Sequence, residues 1–264
     1  MTTRVAVIGA AGRMGTTTCR AIADTDDLAL VAAIDPAESG EQLSAVAGVS
    51  GPAGEVIVGD DLDSLIDAGV DVAVEFTGPA TVGANLVGLL ERGIHAVVGA
   101  TGIADADLEQ ARSLALQGPA RALIVPNFSI GAVLMMKMAA EASRHLPHVE
   151  IIELHHDGKV DAPSGTALRT AELIAAERAR VPDAPLGDDA HPGARGGTHA
   201  DVRIHSVRLP GLVAHQEVIL GGLGQTLTLR HDSLDRSSFM PGVLLACRQV
   251  ASLDEMAVGL EHVL

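Results

Sequence analysis

The chain has 264 residues with a formal net charge of −16 and 47% hydrophobic residues, enough apolar material for one large domain or two modest ones. Aromatic residues make up 1% of the chain, so stacking platforms for nucleic-acid bases are essentially missing. The acidic balance without a basic cluster argues against a nucleic-acid partner, and no apolar run approaches the length of a membrane span.

The cysteines and the amino terminus indicate a compartment. Cys19 and Cys247 lie far apart and fit no metal or redox spacing, so we interpret both as buried reduced thiols. The chain enters a strand at once, without a basic and then apolar leader. These features predict a cytoplasmic protein with no membrane partner and no bound metal.

The first elements form a dinucleotide-binding pattern. A strand at residues 4–8 leads into a glycine-rich turn at 9–15 and a helix to residue 23. A second strand at 28–34 ends at Asp35, about 20 residues after the last glycine, where a ribose-binding carboxylate is expected. The glycine spacing is GxxGxxG and not the commoner GxGxxG, so a purely structural turn remains the alternative.

Alternating strands and helices then continue to residue 143. After an irregular connection at 36–59 with a short helix near Leu43, strands are expected at 70–76, 96–98 and 122–125, and helices at 105–116 and 130–143. Such alternation predicts a parallel sheet covered on both faces. Ligands bind outside the carboxyl ends of such strands, so the loops at 99–102 and 126–129 are expected to line one crevice with the glycine turn.

The pattern changes after residue 150. A strand at 149–152 and a helix at 167–179 precede a Pro/Gly/Asp-rich loop at 181–198. Three strand-like runs with short turns follow at 201–209, 212–220 and 225–231, which predicts an antiparallel sheet. A last helix, capped by Ser237 or Ser238, runs to about residue 250. Strand-face solvation is the expected state of the charged residues here, namely Arg195, Arg208, His215, Glu217 and Arg230.

The most informative segment is 153–166, which reads ELHHDGKVDAPSGT. It joins a strand to a helix, whose first turn offers free N–H groups and the positive end of a dipole to an anion. His155 and His156 can exchange a proton near neutral pH, and Lys159 is one of only two lysines in the chain. Each residue alone fits an ordinary cap or loop. The combination suits a small carboxylate substrate and a proton transfer.

This segment resembles the signature of the 4-hydroxy-tetrahydrodipicolinate reductase (dihydrodipicolinate reductase) family of lysine biosynthesis. Similar family stretches are GAAGRMG at 9–15, VGATG at 98–102, NFSIG at 127–131 and RHDSLDR at 230–236. The resemblance implies an α/β fold with a Rossmann-like parallel-sheet domain (1–128 with 238–264). An α+β domain for substrate binding and tetramerisation (129–237) is inserted, and the last helix returns to the first domain. It also implies a homotetramer.

The resemblance further implies NAD(P)H-dependent reduction of 4-hydroxy-tetrahydrodipicolinate to tetrahydrodipicolinate, with a hydride from nicotinamide. His155 would donate the proton, and Lys159 would hold a carboxylate and assist protonation. The substrate would contact His156, Lys159, Ser164, Gly165 and Thr166. The cofactor would contact Gly9, Ala10, Ala11, Gly12, Arg13, Met14, Asp35, Gly99, Ala100, Thr101, Val125, Pro126, Asn127 and Phe128.

Two departures from the family pattern bear on the cofactor. Gly78 stands where the family often has histidine, so a contact near the nicotinamide is missing or replaced. Asp35 is followed by Pro36 and not by an arginine that could hold a 2′-phosphate. We therefore predict a preference for NADH, with NADPH as a possible second cofactor because Arg13 could meet a phosphate.

Other functions remain open from the residues alone. These are a non-catalytic dinucleotide sensor, a reductase of another small dicarboxylate, and a metal-dependent hydrolase using the two histidines. Adjacent strand residues point to opposite faces, which disfavours their joint ligation of one metal. A serine hydrolase around Ser164 lacks the GxSxG elbow.

Overall fold

A computed structural model of the chain describes residues 2–178 and 190–264. The last residue of the helix predicted at 167–179 and the first half of the loop predicted at 181–198 lie outside the described residues. The chain divides into two compact units, one comprising Met1–Ile130 with Phe239–Leu264 and the other Gly131–Ser238. Within the described ranges, no helix is long and apolar enough to cross a membrane.

The described part of the first unit contains a seven-stranded, all-parallel sheet in the order β12-β6-β5-β4-β1-β2-β3. Its strands are β1 (Thr3–Ile8), β2 (Leu28–Ile34), β3 (Val58–Gly59), β4 (Val72–Glu75), β5 (His95–Val98), β6 (Ala122–Ile124) and β12 (Ala257–Val258). Without β12, this is the order of the doubly wound dinucleotide-binding fold, and it reverses direction between β1 and β4. The predicted Rossmann-like class is confirmed.

Helices follow most of these strands. They are α1 (Arg13–Ala23), α2 (Leu43–Ala47), α3 (Ser64–Asp67), α4 (Val82–Glu91), α5 (Asp105–Gln117) and α8 (Met240–Gln249). The core between sheet and helices is aliphatic and includes Ile8, Val98, Leu86 and Leu89. The sequence predicted α5 and the short α2 correctly. It missed α3, β3 and β12, which are too short to show a periodic pattern.

Two glycines allow helices to pack directly on loop backbone. A Cβ atom added to Gly15 would lie 2.0 Å from the carbonyl oxygen of Gly9, and one added to Gly242 would lie 1.9 Å from that of Phe128. No side chain fits at such distances, so α1 rests against the turn after β1 and α8 rests against the loop after β6. The turn at Gly9 itself has a φ of +79°, a conformation that favours glycine.

The second unit pairs a mixed sheet with two helices. In its described part the sheet order is β11-β10-β7-β9-β8. Its elements are α6 (Ile130–Ser143), β7 (His148–His155), α7 (Gly165–Glu177), β8 (Gly197–His199), β9 (Val202–Arg208), β10 (Ala214–Gly222) and β11 (Gln225–Ser233). The predicted bounds of α6 are confirmed.

The prediction of consecutive antiparallel strands is wrong for β9 and β10. Only β10 and β11 form the expected hairpin. Strand β7 lies between β9 and β10, parallel to the first and antiparallel to the second. Ile151 of β7 is fully buried, and a central position supplies the neighbours on both edges that this burial needs. Local turn signals carry no information about this insertion.

The predicted serine cap of the last helix is also wrong. Arg236–Phe239 forms a 3-10 turn, in which the Asp235 carboxylate accepts a hydrogen bond from the Ser237 backbone N–H at 2.7 Å. The α-helix α8 begins only at Met240, with Pro241 in its first turn.

One face of β7 forms the core of the second unit. Val149 and Ile151 are buried there against Met135 of α6 and Ile174 of α7. Glu153 continues the same alternation and has no exposed surface. A charged side chain therefore lies where the alternation predicts an apolar one, two residues before His155.

Candidate active site

The glycine turn and Asp35 are joined by a hydrogen bond. The Asp35 carboxylate accepts from the backbone N–H of Ala11 at 2.9 Å and from that of Ala37 at 3.2 Å. Gly9 and Ala10 both donate backbone hydrogen bonds to the Ile34 carbonyl. The end of β2 therefore holds the turn after β1 in place, and Arg13 and Met14 lie in the first turn of α1 directly beyond it.

The amino terminus of α1 is open to a ligand. Its N-cap residue is Gly12, which makes no side-chain capping bond. First-turn N–H groups have no partner within a helix and carry its positive partial charge. The side chain of Arg13 is exposed beside them. This arrangement suits a pyrophosphate.

Two aromatic rings enclose the loop after β5. Phe76 and Phe128 pack edge to face with ring centroids 5.6 Å apart. A Cβ atom at Gly99 would lie 2.2 Å from the first ring and 2.7 Å from the second. The backbone hydrogen bond from Val125 to Val98 holds the loop after β6 beside it. Gly99–Thr101 and Val125–Phe128 thus come together at one sheet edge, as predicted from topology.

The turn after β4 contains the family departure. The buried Glu75 carboxylate accepts from the Thr77 backbone N–H at 3.1 Å and from the Asn85 amide at 3.2 Å. Its second oxygen is buried without a hydrogen-bond partner among the described residues. No atom lies within 4 Å of the position of a Cβ atom at Gly78, so the space that a histidine would occupy is open.

In the second unit, Glu153 organises the predicted proton donor. Its carboxylate oxygen Oε2 lies 2.5 Å from Nδ1 of His155. Because an ionised carboxylate only accepts hydrogen bonds, Nδ1 is the donor. The other ring nitrogen, Nε2, is then the atom left for a substrate. His155 is the last residue of β7, and His156 follows it as an exposed residue of the loop.

Arg208 corrects one expectation from the sequence. Strand-face solvation was its expected state, but its side chain is only 18% exposed and contacts the buried Glu153. Its two terminal nitrogens donate to the two carboxylate oxygens, each at 2.9 Å. The alternation along β9 could have predicted this burial. Arg208 is in phase with the buried Val202 and Ile204, as Glu153 is with Ile151.

The predicted anion-binding turn connects to the same carboxylate. The Ser164 backbone N–H donates to Glu153 Oε1 at 3.3 Å, and the Ser164 hydroxyl caps α7 by accepting from Ala167. Gly165 is exposed at the start of α7, with open space at its Cβ position. Glu153 therefore positions both the histidine and the first turn of the helix.

A second support acts on the first turn of α7 from the sheet. The buried Gln216 of β10 donates to the Thr170 hydroxyl at 2.8 Å. That hydroxyl in turn donates to the Thr166 carbonyl at 2.7 Å. The turn that carries Gly165 and Thr166 is thus supported by two neighbouring strands of one sheet.

Lys159 occupies the loop between β7 and α7. Its amine makes an ion pair with Asp161, at 2.8 and 2.9 Å from the two carboxylate oxygens. This hydrogen bond holds the pKa of Asp161 below its usual range. The Asp161 side chain is 60% exposed, so the pair is open to exchange with a dissolved carboxylate.

The network shifts the ionisation of Glu153. Burial alone would raise the pKa of this carboxyl, but hydrogen bonds from His155, Arg208 and Ser206 outweigh it and lower the pKa to about 2. Glu153 is therefore ionised throughout the physiological range. This second site thus combines a fixed anion, a histidine oriented by it, an exchangeable amine and a helix start, which together can bind carboxylates and deliver a proton.

A metal centre has no support in the described residues. In those ranges no three histidine, cysteine, aspartate or glutamate side chains are grouped so as to hold a metal ion. Both cysteines are free and buried, and burial raises each thiol pKa to about 12.

Comparison with known proteins gives a consistent family. The family model for the amino-terminal part of dihydrodipicolinate reductase matches residues 3–128, and the model for its carboxyl-terminal part matches residues 131–264. A 4-hydroxy-tetrahydrodipicolinate reductase from Streptomyces griseus is 50% identical over 265 residues, covering 99% of this chain and 97% of its own. One from Syntrophomonas wolfei is 46% identical over 263 residues, covering 99% and 98%.

A solved structure gives the same relationship. The dipicolinate-bound dihydrodipicolinate reductase from Paenisporosarcina sp. TG-14 superposes with a TM-score of 0.89 at 41% identity, and the match covers all of both chains.

The lowered pKa of Glu153 predicts a pH-dependent contribution to stability. Because the folded-state pKa of about 2 lies below the ordinary value of 4.5, the contribution is present above pH 4.5 and is lost as the pH falls towards 2. Glu153→Gln should lower the free energy of unfolding by roughly 3 kcal/mol at pH 7. Urea denaturation at pH 3 should show a difference in unfolding free energy between the two proteins that is less than about half of the difference at pH 7.

Glu150→Gln is the matched control for that measurement. It makes the same change on the same strand, but Glu150 is 53% exposed and its ion-pair partner among the described residues is His205, so its effect should stay within about 0.5 kcal/mol. The assigned ionisation would be contradicted if Glu153→Gln lowered the free energy of unfolding equally at both pH values, or by no more than the control does.

Proposed function

The chain belongs to the dihydrodipicolinate reductase family, and we propose that His155 and Lys159 are its catalytic residues. As a member it is an NAD(P)H-dependent oxidoreductase that reduces 4-hydroxy-tetrahydrodipicolinate to tetrahydrodipicolinate in diaminopimelate and lysine biosynthesis. The observation that carries the assignment of residues is the hydrogen bond between Glu153 and Nδ1 of His155.

His155 is the proton donor in this proposal. The nicotinamide, when bound, supplies the hydride to the substrate ring, and a proton must reach the same ring from the protein. Because tetrahydrodipicolinate lacks the 4-hydroxyl group, that group leaves as water in the overall reaction. Glu153 holds Nδ1 of His155, so the imidazolium presents its Nε2 proton in one orientation. A donor held in one orientation by a hydrogen bond transfers its proton efficiently.

The substrate carboxylates would be held by the helix start and the loop. We assign one carboxylate to the backbone N–H groups of Gly165 and Thr166, with Ser164 supporting the turn as its cap. Lys159 would bind the other carboxylate by exchanging its partner Asp161, and His156 would stand beside it. A related reductase whose structure carries dipicolinate supports a planar ring with two carboxylates as the ligand class.

The first unit would hold the cofactor. The residues present fit a dinucleotide, because the start of α1 has no side-chain cap and the Asp35 carboxylate lies beside the glycine turn, hydrogen-bonded to the Ala11 N–H. The pyrophosphate would meet Gly9–Met14 and the ribose would meet Asp35. The nicotinamide would meet Gly99–Thr101 and Val125–Phe128.

NADH is the preferred cofactor in this proposal, with NADPH as a second. The carboxylate of Asp35 would repel a 2′-phosphate and accept from a free hydroxyl. We also propose a homotetramer in the cytoplasm. The sheet of the second unit supports the tetramer, because the face opposite its core carries Ile152, Leu154 and Ile219, which are only partly buried.

Removing either catalytic side chain should reduce turnover. His155→Ala should lower kcat by about 10²- to 10⁴-fold with little change in NADH affinity, because it removes a proton donor. Lys159→Ala should lower kcat and also raise KM for the substrate. The measurement is NADH oxidation at 340 nm with freshly made synthase product.

The chain supplies a matched control for each change. His148→Ala alters the first residue of the same strand, which is exposed, and Lys137→Ala removes the only other lysine. Both controls should stay within about twofold of the unaltered enzyme. Near-normal turnover in His155→Ala would remove His155 as the acid.

Asp35→Asn tests the cofactor preference without removing the hydrogen-bond acceptor for Ala11. Loss of the charge should narrow the ratio of kcat/KM for NADH to that for NADPH by about tenfold, a difference of roughly 1.4 kcal/mol. The measurement is the same oxidation assay with each cofactor. A ratio that favours NADPH in the unaltered enzyme would contradict the proposed role of Asp35.

The oligomeric state has a direct test. Sedimentation equilibrium should give four chain masses of 27.0 kDa. Ile219→Lys, on the sheet face opposite the core, should shift the mass towards smaller species. A mass of one or two chains for the unaltered protein would exclude the homotetramer.

A further inference from the structure

Arg208 uses every donor that it has. A guanidinium carries five N–H groups, and five acceptors lie around this one. Two are the oxygens of Glu153 and one is the carbonyl of Val207. The Lys159 carbonyl accepts from Nε at 3.2 Å, and the Asp161 carbonyl accepts from a terminal nitrogen at 2.5 Å. No N–H group of Arg208 remains for a substrate.

These acceptors belong to the two parts of the site that carry its chemistry. Glu153 is the side chain that holds His155, and the carbonyls of Lys159 and Asp161 belong to the loop that carries the amine. In register, Arg208 lies directly beside His155 on the adjacent parallel strand. A single planar group therefore joins the strand end to the loop.

We propose that Arg208 is a positioning residue, which orients His155 through Glu153 and places the Lys159 loop through two backbone carbonyls. The inference rests on the proposed function of His155 and Lys159. Arg208 is not a catalytic residue in this scheme, because it acts only through groups of the chain. It determines where the proton donor and the substrate-binding amine stand relative to each other.

The contacts at this position require an arginine side chain. The guanidinium fork matches a carboxylate with two parallel bonds and still points other N–H groups at the loop. Lysine would keep the charge beside Glu153 but could not reach both the carboxylate and the two carbonyls. Glutamine would remove the charge as well. The two substitutions therefore separate the electrostatic role from the geometric one.

The charged groups around His155 predict the direction of a pH effect. Glu153 and Arg208 face it on the sheet, and Lys159, Asp161 and His156 come from the following loop. In Arg208→Gln, Glu153 loses its permanent positive partner and would hold the imidazolium more firmly. The alkaline limb of the pH profile of kcat/KM should then move to higher pH, by about one unit.

The test compares Arg208→Lys and Arg208→Gln with the same two changes at Arg203. Arg203 lies on the same strand, but within the part of the chain that the structure describes its side chain donates one hydrogen bond, to the Arg195 carbonyl at 3.3 Å. Arg208→Gln should lower kcat/KM for the substrate by about 100-fold and shift the alkaline limb. Arg208→Lys should lower kcat/KM by about tenfold, with the limb unmoved. The Arg203 variants should stay within about twofold of the unaltered enzyme.

Two further measurements distinguish a positioning role from a general loss of folding. The Kd for NADH should change less than about twofold in all variants, because the residues assigned to the cofactor belong to the other unit. Circular dichroism melting establishes that each variant folds. If Arg208→Gln does not fold, Arg208→Lys is used alone. It should show the tenfold loss of kcat/KM with no shift of the alkaline limb of the pH profile.

A measurement that does not depend on turnover tests this inference separately from the proposed function. Imidazole nitrogen signals of His155, assigned with His155→Asn, should change in pH dependence in Arg208→Gln and not in Arg203→Gln. If the unaltered enzyme fails to oxidise NADH with the substrate, the proposed function fails, and these signals still decide the role of Arg208. Unchanged signals, or kcat/KM within twofold in Arg208→Gln, would overturn the inference.

Discussion

The second unit depends on the hydrogen bonds and the ion pair made by the buried carboxylate of Glu153. An ionised carboxylate without exposed surface costs several kcal/mol unless charges and hydrogen bonds compensate for it. Its partners come from β7 itself, from β9 and from the start of α7. Strand β9 must therefore lie beside β7, and the helix must begin over the strand end. The arrangement that satisfies Glu153 is also the one that brings His155 and the first turn of α7 together, which are the proposed proton donor and anion site.

The first unit depends on a different constraint, the close approach of backbones. Glycine at positions 15, 99 and 242 allows a helix or a ring to lie where a side chain would clash. The parallel strand order then brings the loops to one edge of the sheet. Gly15 meets the nearby turn at Gly9, whereas Gly99 and Gly242 meet rings or backbone from distant segments of the chain. Each glycine nevertheless stands in a short motif at or near a strand end, so the first unit is easy to recognise from its sequence.

The sequence predicted what depends on local pattern and missed what depends on pairing across the chain. Helix α6, the glycine turn and the strand ends follow from periodicity and turn chemistry, and the structure bears them out. The insertion of β7 between β9 and β10 joins segments about 50 residues apart, so turn signals could not show it. Arg208 was assigned to solvent for the same reason, because its partner Glu153 lies on a distant strand. The alternation within β9 did contain its inward phase, which shows that a charged residue in phase with buried ones predicts a buried partner.

The contrast between two cations explains how an acidic protein can bind an acidic substrate. Arg208 and Glu153 form a buried pair whose separation would leave a bare charge, so neither is available for exchange. Lys159 and Asp161 form an exposed pair, and such pairs contribute only about 0–1 kcal/mol. A dissolved carboxylate can therefore take the place of Asp161 at little cost, even though the chain carries an excess of 16 negative charges. The fixed charge of Arg208 is paired internally and the amine of Lys159 is exchangeable, so under the proposed function Lys159 and not Arg208 is the cation that the substrate would meet.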